Sequence, residues 1–242
     1  MMFKKITRKI ESNELSPWVM LQKWENLLFI HWPISPEVLA NHLPEGLELD
    51  TYHGQAWISI VSFKISRVRL RHLPRIPYVR PMLQVNARTY VKRNGEKGVY
   101  FFSMDTNKLS AVLGAKMVTA PFYHADMRMK KITDTYHIYS SRKGKVPAKF
   151  KASYCPKNEF FQPEKQGLDY WLLERYIMWT YKSGHLYRGD IQHESWSVKH
   201  AKINIKHQSL FPFLPENVTK EKPLVHYARS KVALNWMIKK IE

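Results

Sequence analysis

The sequence predicts an α+β fold, an antiparallel β-barrel or sandwich carrying about three short helices. Three observations lead there. Most of the chain breaks into short β-branched and aromatic runs separated by Pro, Gly, Asn and Asp. One break, Asn94-Gly95, is a strong hairpin signal, because a type I′ turn needs positive φ at both central residues. Helical periodicity surfaces only near Ser35–Leu43, Leu109–Met117 and Leu168–Trp179. Runs of strands with few helices between them favour this class over an alternating parallel fold.

Residues 1–20 read as a loose N-terminal arm and residues 21–242 as a single domain. Trp24–Trp32 (WENLLFIHW) is strand-like, and Pro33 is expected to end it. Ser35-Pro36-Glu37 starts a helix: serine caps, proline suits the first turn and glutamate meets the dipole. Pro44-Glu45-Gly46 stops it. Leu47–Tyr52 is a short strand and His53-Gly54 a turn. Gln55–Val68 is a long strand, apolar on both faces over its first half and therefore central. Leu70–Pro81, with Pro74, Pro77 and basic residues between them, is a loop.

The hairpin comes next. A two-residue loop sets Arg93 opposite Glu96, Tyr90 opposite Val99, Arg88 opposite Phe101, Asn86 opposite Ser103 and Gln84 opposite Asp105. The alternate face (Val85, Ala87, Thr89, Val91, Tyr100, Phe102, Met104) is apolar and should be core. The first face is mixed. It suits either the wall of a polar pocket or a solvent face with one stray Phe. The Leu109–Met117 helix follows, weakened by Gly114 and stopped by Pro121, and Tyr123–Ile132 returns to a strand. Strands are expected near Tyr136–Arg142 and Lys149–Cys155. The best helical stripe is Leu168, Trp171, Leu172, Tyr176 and Trp179. Leu186–His193, Val198–His207 and Val225–Trp236 complete the strands.

With 242 residues, 44% of them hydrophobic, the chain can bury a sizeable core. Its formal charge of +19, from 39 Lys+Arg against 20 Asp+Glu, suits nucleic acid, an anionic membrane or an acidic ligand. The positive residues are scattered, with mild clusters at Lys4–Lys9, Arg67–Arg80, Arg128–Lys131 and Arg142–Lys151. No helix-turn-helix, zinc-finger or RNP pattern accompanies them, so any nucleic-acid contact is expected to be nonspecific. No apolar run reaches the length of a membrane span and no signal peptide is evident. The single cysteine, Cys155, excludes an internal disulfide framework, and a cytoplasmic location is expected.

The chain has no GxGxxG, P-loop, GxSxG, HExxH or CxxC, so no cofactor and no metal are expected. His193-Glu194 are strand neighbours and point to opposite faces, which rules them out as ligands of one ion. Arg88 stands out. A mid-strand arginine is costly to bury unpaired, and Asp105, Glu174 or a bound carboxylate would pair it. Tyr123 and His124 are the candidate catalytic pair, since a histidine serves as acid or base near neutral pH. His193, close to Trp196, is placed to edge a pocket. The expected ligand-binding set is Gln84, Asn86, Arg88, Ser103, Asp105, Glu174 and His193.

Several segments in order carry a resemblance: WENLLFIHW, LPEGLELDTYHGQAWISIVSF (Leu43–Phe63), ARTYV (Ala87–Val91), GVYFFSMD (Gly98–Asp105), APFYHADM (Ala120–Met127), LLERY (Leu172–Tyr176), LYRGDIQH (Leu186–His193) and LVHYAR (Leu224–Arg229). Together they resemble the YqjF-like family of uncharacterised bacterial proteins, from about Leu21 to the C-terminus. That family is similar in fold to acetoacetate decarboxylase, which implies a conical antiparallel barrel with a polar pocket inside. In the decarboxylases a helix is followed by Pro-Lys-Lys-Leu-Ala, and one lysine forms a Schiff base with the keto acid. Here Gly114–Ala125 (GAKMVTAPFYHA) takes that place, and the lysines fall at Phe122 and Tyr123. Without the amine that route is closed. Gln84 stands where the family pattern usually carries a glutamate, so it binds and cannot move protons.

Three functions follow as expectations. The first is a barrel pocket binding a small carboxylate- or carbonyl-bearing molecule. The second is an enzyme acting on a keto acid through Tyr123 and His124. The third is a charge-driven binder of nucleic acid or anionic surfaces.

Overall fold

The computed structural model describes residues 17–73, 81–108, 119–157 and 159–241. In chain order the elements are β1 (Met20–Ile34), α1 (Pro36–Ala40), β2 (Glu48–Leu49), β3 (Ala56–Leu70), β4 (Met82–Arg93), β5 (Glu96–Thr106), β6 (Phe122–Ile132), β7 (Thr135–Arg142), β8 (Ala148–Pro156), α2 (Leu168–Leu173), β9 (Ile177–Lys182), β10 (His185–Gln192), β11 (Lys199–Gln208), a 3-10 turn (Glu216–Thr219), β12 (Leu224–Asn235) and β13 (Lys239–Ile241). The predicted helix at Leu109–Met117 and most of the N-terminal arm and Pro-rich loop lie outside the described residues.

All the strands belong to one sheet. Pairing in the order β5-β6-β7-β8-β11-β12-β1-β3-β4 returns to β5 and closes a nine-stranded barrel. β9 and β10 close a second, smaller ring. β9 runs parallel to β5, with Val99 opposite Met178, and β10 meets β12, with Ile191 opposite Asn235. Strands β12, β1, β3, β4 and β5 therefore form a wall with an interior on each side.

Strand alternation sorts the core between them. Leu28, Ile30, Trp32, Ile58, Ile60, Val85 and Ala87 fill the nine-stranded interior. Leu27, Phe29, Val61, Phe63, Val99 and Phe101 fill the smaller one. This is why β3 is apolar on both faces, as its sequence suggested. Gly98 allows the closest approach at the seam between β5 and β9. A Cβ there would lie 2.6 Å from the Ile177 carbonyl oxygen and 2.8 Å from Trp179 Nε1.

Three expectations need correction. Pro33 does not end β1, which continues to Ile34 and pairs Pro33 with Trp57 of β3. The pairing of β1 with β12 stops at His31, so Pro33 sits where one edge is open and no ladder bond needs its missing N–H. Ser35 stands at the N-cap of α1, but its hydroxyl makes no capping bond and donates to the Glu37 carboxylate instead.

The predicted helix Leu168–Trp179 stops at Leu173. Arg175 Nε donates to the Trp171 carbonyl (2.8 Å), and its Nη1 pairs with Asp50 Oδ2 at 2.5 Å. The remainder, IMWTYK, is aromatic and β-branched, and Ser183-Gly184, both at positive φ, turn it into a hairpin with β10.

Candidate functional site

The hairpin β4–β5 follows the predicted register from Arg93–Glu96 back to Arg88–Phe101. There a β-bulge intervenes, and Ala87 pairs with Ser103, Asn86 with Met104, and Gln84 with Thr106. One extra residue exchanges the faces of everything beyond it. Gln84, Asn86 and Arg88 keep to the smaller interior and are joined by Met104. Ser103 and Asp105 turn into the nine-stranded interior instead.

In that larger interior Asp105 pairs with Arg142 of β7, Nε to Oδ1 at 2.9 Å, and Arg142 Nη2 donates to Ser103 Oγ at 3.2 Å. Burial lifts the Asp105 carboxyl to about 6 in spite of Arg142. The Arg142 guanidinium also stacks over the Tyr123 ring, 4.0 Å from its centre. Tyr123 pairs with Asp105 and shares its face; His124 pairs with Thr106 and is exposed. The two candidate catalytic residues thus point to opposite sides of β6, because they are strand neighbours.

The smaller interior holds a cavity of about 100 Å³. Its floor is the shared wall, and its cover comes from Leu173, Arg175, Tyr176, Ile177, Met178, Ile191, His193 and Trp196. The lining is mostly apolar, with Gln22, Gln84, Asn86, Arg88, Arg175 and His193 among its polar members. Neither an aspartate, a glutamate nor a lysine lines it among the described residues. Phe122, at the start of β6, is part of the lining.

Arg88 is the centre of this site. Its guanidinium lies 5.9 Å from the Phe29 ring centre and 5.8 Å from that of Tyr90. Its Nε and Nη2 are buried with no hydrogen-bond partner, and the same holds for Asn86 Oδ1 and Arg175 Nη2. Burial holds Arg88 below the usual guanidinium range. Neither expected carboxylate reaches it. Asp105 belongs to Arg142, and Glu174 accepts from the Trp196 backbone N–H at 2.8 Å and from the Tyr176 hydroxyl.

His193 is caged by Trp24, Tyr176 and Trp196, with ring centres 6.1, 4.8 and 4.6 Å away. Its Nδ1 donates to the Glu194 carbonyl at 2.9 Å, which leaves Nε2 as the basic nitrogen of the neutral ring. Burial lowers its pKa to about 4. Of the predicted ligand residues, Gln84, Asn86, Arg88 and His193 meet at the cavity; Ser103, Asp105 and Glu174 do not line it. Arg175 was missed. Its only signal was position, immediately after Glu174 in LLERY. No group of three or more His, Cys, Asp or Glu suited to a metal ion occurs among the described residues.

A family model for uncharacterised conserved proteins, DUF2071, matches residues 21–231. The chain belongs to that family. Within it, the uncharacterised protein YqjF of Bacillus subtilis (strain 168) is 40% identical over 224 residues, covering 92% of this chain and 93% of that protein. Solved structures with the same fold are far more distant in sequence. Acetoacetate decarboxylase from Legionella pneumophila superimposes with a TM-score of 0.65 at 14% identity, covering 98% of this chain and 95% of the other. The enduracididine biosynthesis enzyme MppR, solved with pyruvate, gives 0.67 at 11% identity, with 96% and 93% covered. An acetoacetate decarboxylase-like enzyme from Sphingomonas wittichii RW1 gives 0.65 at 11%, with 95% of each chain covered. This DUF2071 chain thus has the acetoacetate decarboxylase-like fold. Among its described residues no helix is long and apolar enough to cross a membrane.

Proposed function

We propose that this DUF2071 protein binds a small carboxylate in the smaller interior, with Arg88 as its counter-ion. One observation carries the reading: a buried guanidinium with two nitrogens unpartnered among the described residues faces a cavity whose described lining has no acidic residue. A buried cation in that state is costly, and a bidentate carboxylate supplies what it lacks. Size narrows the class. At about 100 Å³ the cavity is smaller than the roughly 150 Å³ cavity that accepts benzene, so the ligand is a short acid. Short oxo acids are the natural probes, given that MppR of the same fold was solved with pyruvate. Schiff-base chemistry is not part of the proposal, because Phe122 stands in the lining and no lysine does among the described residues. Where acid–base chemistry occurs, His193 has the better position, since neither Tyr123 nor His124 lines the cavity.

Titration calorimetry with pyruvate, acetoacetate and their neutral amides tests this. Binding of an acid but not of its amide, abolished in Arg88→Met, is the expected result. Equal binding of acid and amide, or unchanged affinity in Arg88→Met, would overturn the assignment.

A second reading has its own observation. The sheet gathers the scattered basic residues onto the outer face of β6, β7, β8 and β11. Arg128, Lys130, Lys149, Lys151 and Lys202 are exposed there. Asp126 is the acidic residue among them, 3.5 Å from Arg128. Such a face attracts phosphate backbones without reading sequence. Binding of a labelled single-stranded oligonucleotide should weaken steeply with salt, and reversing Arg128, Lys130 and Lys151 to Glu should remove it. An equal loss from reversing three lysines elsewhere would reduce this to diffuse charge.

A further inference from the structure

A polar stripe crosses the wall on its cavity side. His226 of β12 pairs with Phe29 of β1, and two residues along β1, His31 pairs with Ser59 of β3, which pairs with Arg88 of β4. His31, Ser59 and His226 are completely buried. Polar groups placed so deep cost stability unless satisfied, and here the contacts run in one line. Tyr90 Oη lies 2.8 Å from His31 Nδ1. His226 Nε2 lies 3.0 Å from Asp169 Oδ1 on α2, and Asp169 is 28% exposed to solvent. The His31 and His226 rings are 5.5 Å apart between centres, and the nitrogens left over, His31 Nε2 and His226 Nδ1, are both buried without a partner. At the inner end the Tyr90 ring lies 5.8 Å from the Arg88 guanidinium and 5.3 Å from that of Arg175. Both arginines line the cavity.

We propose that Tyr90, His31, His226 and Asp169 form a proton relay between solvent and the buried arginines Arg88 and Arg175 at the edge of the cavity. One set of tautomers makes every link a donor facing an acceptor. The Tyr90 hydroxyl donates to His31 Nδ1, and the relay requires one water between the rings to accept from His31 Nε2–H. That water donates to His226 Nδ1, and His226 Nε2–H to the Asp169 carboxylate. If each proton moves one place outward, Tyr90, raised above the ordinary tyrosine range by burial and only partly compensated by Arg88 and Arg175, becomes a phenolate, and Asp169 becomes a neutral acid at the surface. Charge and protons balance, and the reverse shift returns a proton inward. His31 takes part as a neutral ring, since burial holds it well below the usual histidine range. The relay does not depend on the carboxylate-binding reading above.

The test therefore uses the ligand-free, full-length protein labelled with ¹⁵N-histidine. NMR of the ring nitrogens is expected to show the Nε2–H tautomer at both His31 and His226. The buried His31 ring proton should exchange with water, and Asp169→Asn and His226→Phe should each slow that exchange by roughly tenfold or more. Asp169→Asn keeps the shape and the acceptor oxygen but cannot take up a proton. A proton on His31 Nδ1, or exchange unchanged in Asp169→Asn, would overturn the relay. The tautomers of the unaltered protein and Asp169→Asn decide the matter even if His226→Phe fails to fold. Loss of acid binding in calorimetry would bear on the ligand reading alone.

Discussion

Asp105 and Arg142 face each other across the nine-stranded interior, with Nε and Oδ1 2.9 Å apart and both side chains buried. The pair belongs to the opposite side of the wall from Arg88. Its carboxyl is lifted from 3.8 to about 6 by burial. The folded chain therefore holds this proton more tightly than the unfolded chain. Stability from Asp105 is fully present below its ordinary pKa and is lost as pH rises through the folded value, by about 3 kcal/mol in all. Asp105→Asn should remove that slope. Urea unfolding of both proteins across this window should show the variant gaining on the parent as pH rises.

His193 has the opposite sign. Its pKa falls from 6.5 to about 4, so as pH drops the unfolded chain takes up a proton first. Stability from this group is present above the ordinary histidine value and lost on acidification, by about 3 kcal/mol. His31, also lowered by burial, acts in the same direction. In the parent these slopes oppose that of Asp105. His193→Phe should therefore unmask the Asp105 slope, with stability falling more steeply as pH rises from the acid side in the same unfolding series.

The hydrophobic pattern made the architecture legible. Apolar residues on both faces of Gln55–Val68 required a strand with core on each side, and β3 has that position. Arg88 was legible for the same reason, as a charge in the middle of a run of β-formers. The partners were not. Alternation from Asn94-Gly95 put Asp105 on the Arg88 face, and a single bulged residue of β5, Phe102, between the partners of Arg88 and Ala87, moved it to the other interior. Local pattern does not encode a bulge, because the extra residue is chosen by how the wall must bend. The long helix was misjudged because a 3.6-residue stripe continued through IMWTYK, while the Ser183-Gly184 turn and the Arg175–Asp50 pair act from outside the stripe. The gathered basic face depends on which strands become neighbours, and no reading along the chain supplies that.

Removing the charge at the cavity should strengthen the fold. Arg88→Met replaces a buried cation with two unpartnered nitrogens by an apolar side chain of similar reach, which removes the cost of burying that charge. A rise in the thermal midpoint together with loss of acid binding is expected, and a destabilised Arg88→Met would show that the guanidinium is satisfied inside the protein.

The seam at Gly98 has no room for a methyl group. With the Ile177 carbonyl oxygen 2.6 Å from the Cβ position, Gly98→Ala must push β9 away from β5. A loss of about 1–3 kcal/mol is expected from the overpacking, read as a lower denaturant midpoint. Gly95→Ala makes a useful contrast: nothing lies within 4 Å of its Cβ position, so its cost comes from the +81° φ alone.

The pairing of β1 with β12 also sets a timetable for synthesis. Phe29 is among the first described residues to leave the ribosome, and its partner His226 is among the last. Until β12 emerges, the hydrophobic edge of β1 has no neighbour on that side, the ring through β10 cannot close, and neither histidine of the stripe is covered. Non-local pairing of this kind is slow and leaves strand edges exposed. Cells making this protein must therefore shield an open sheet from the synthesis of β1 to that of β12, and a ribosome stalled before Leu224 would release an unclosed, aggregation-prone barrel.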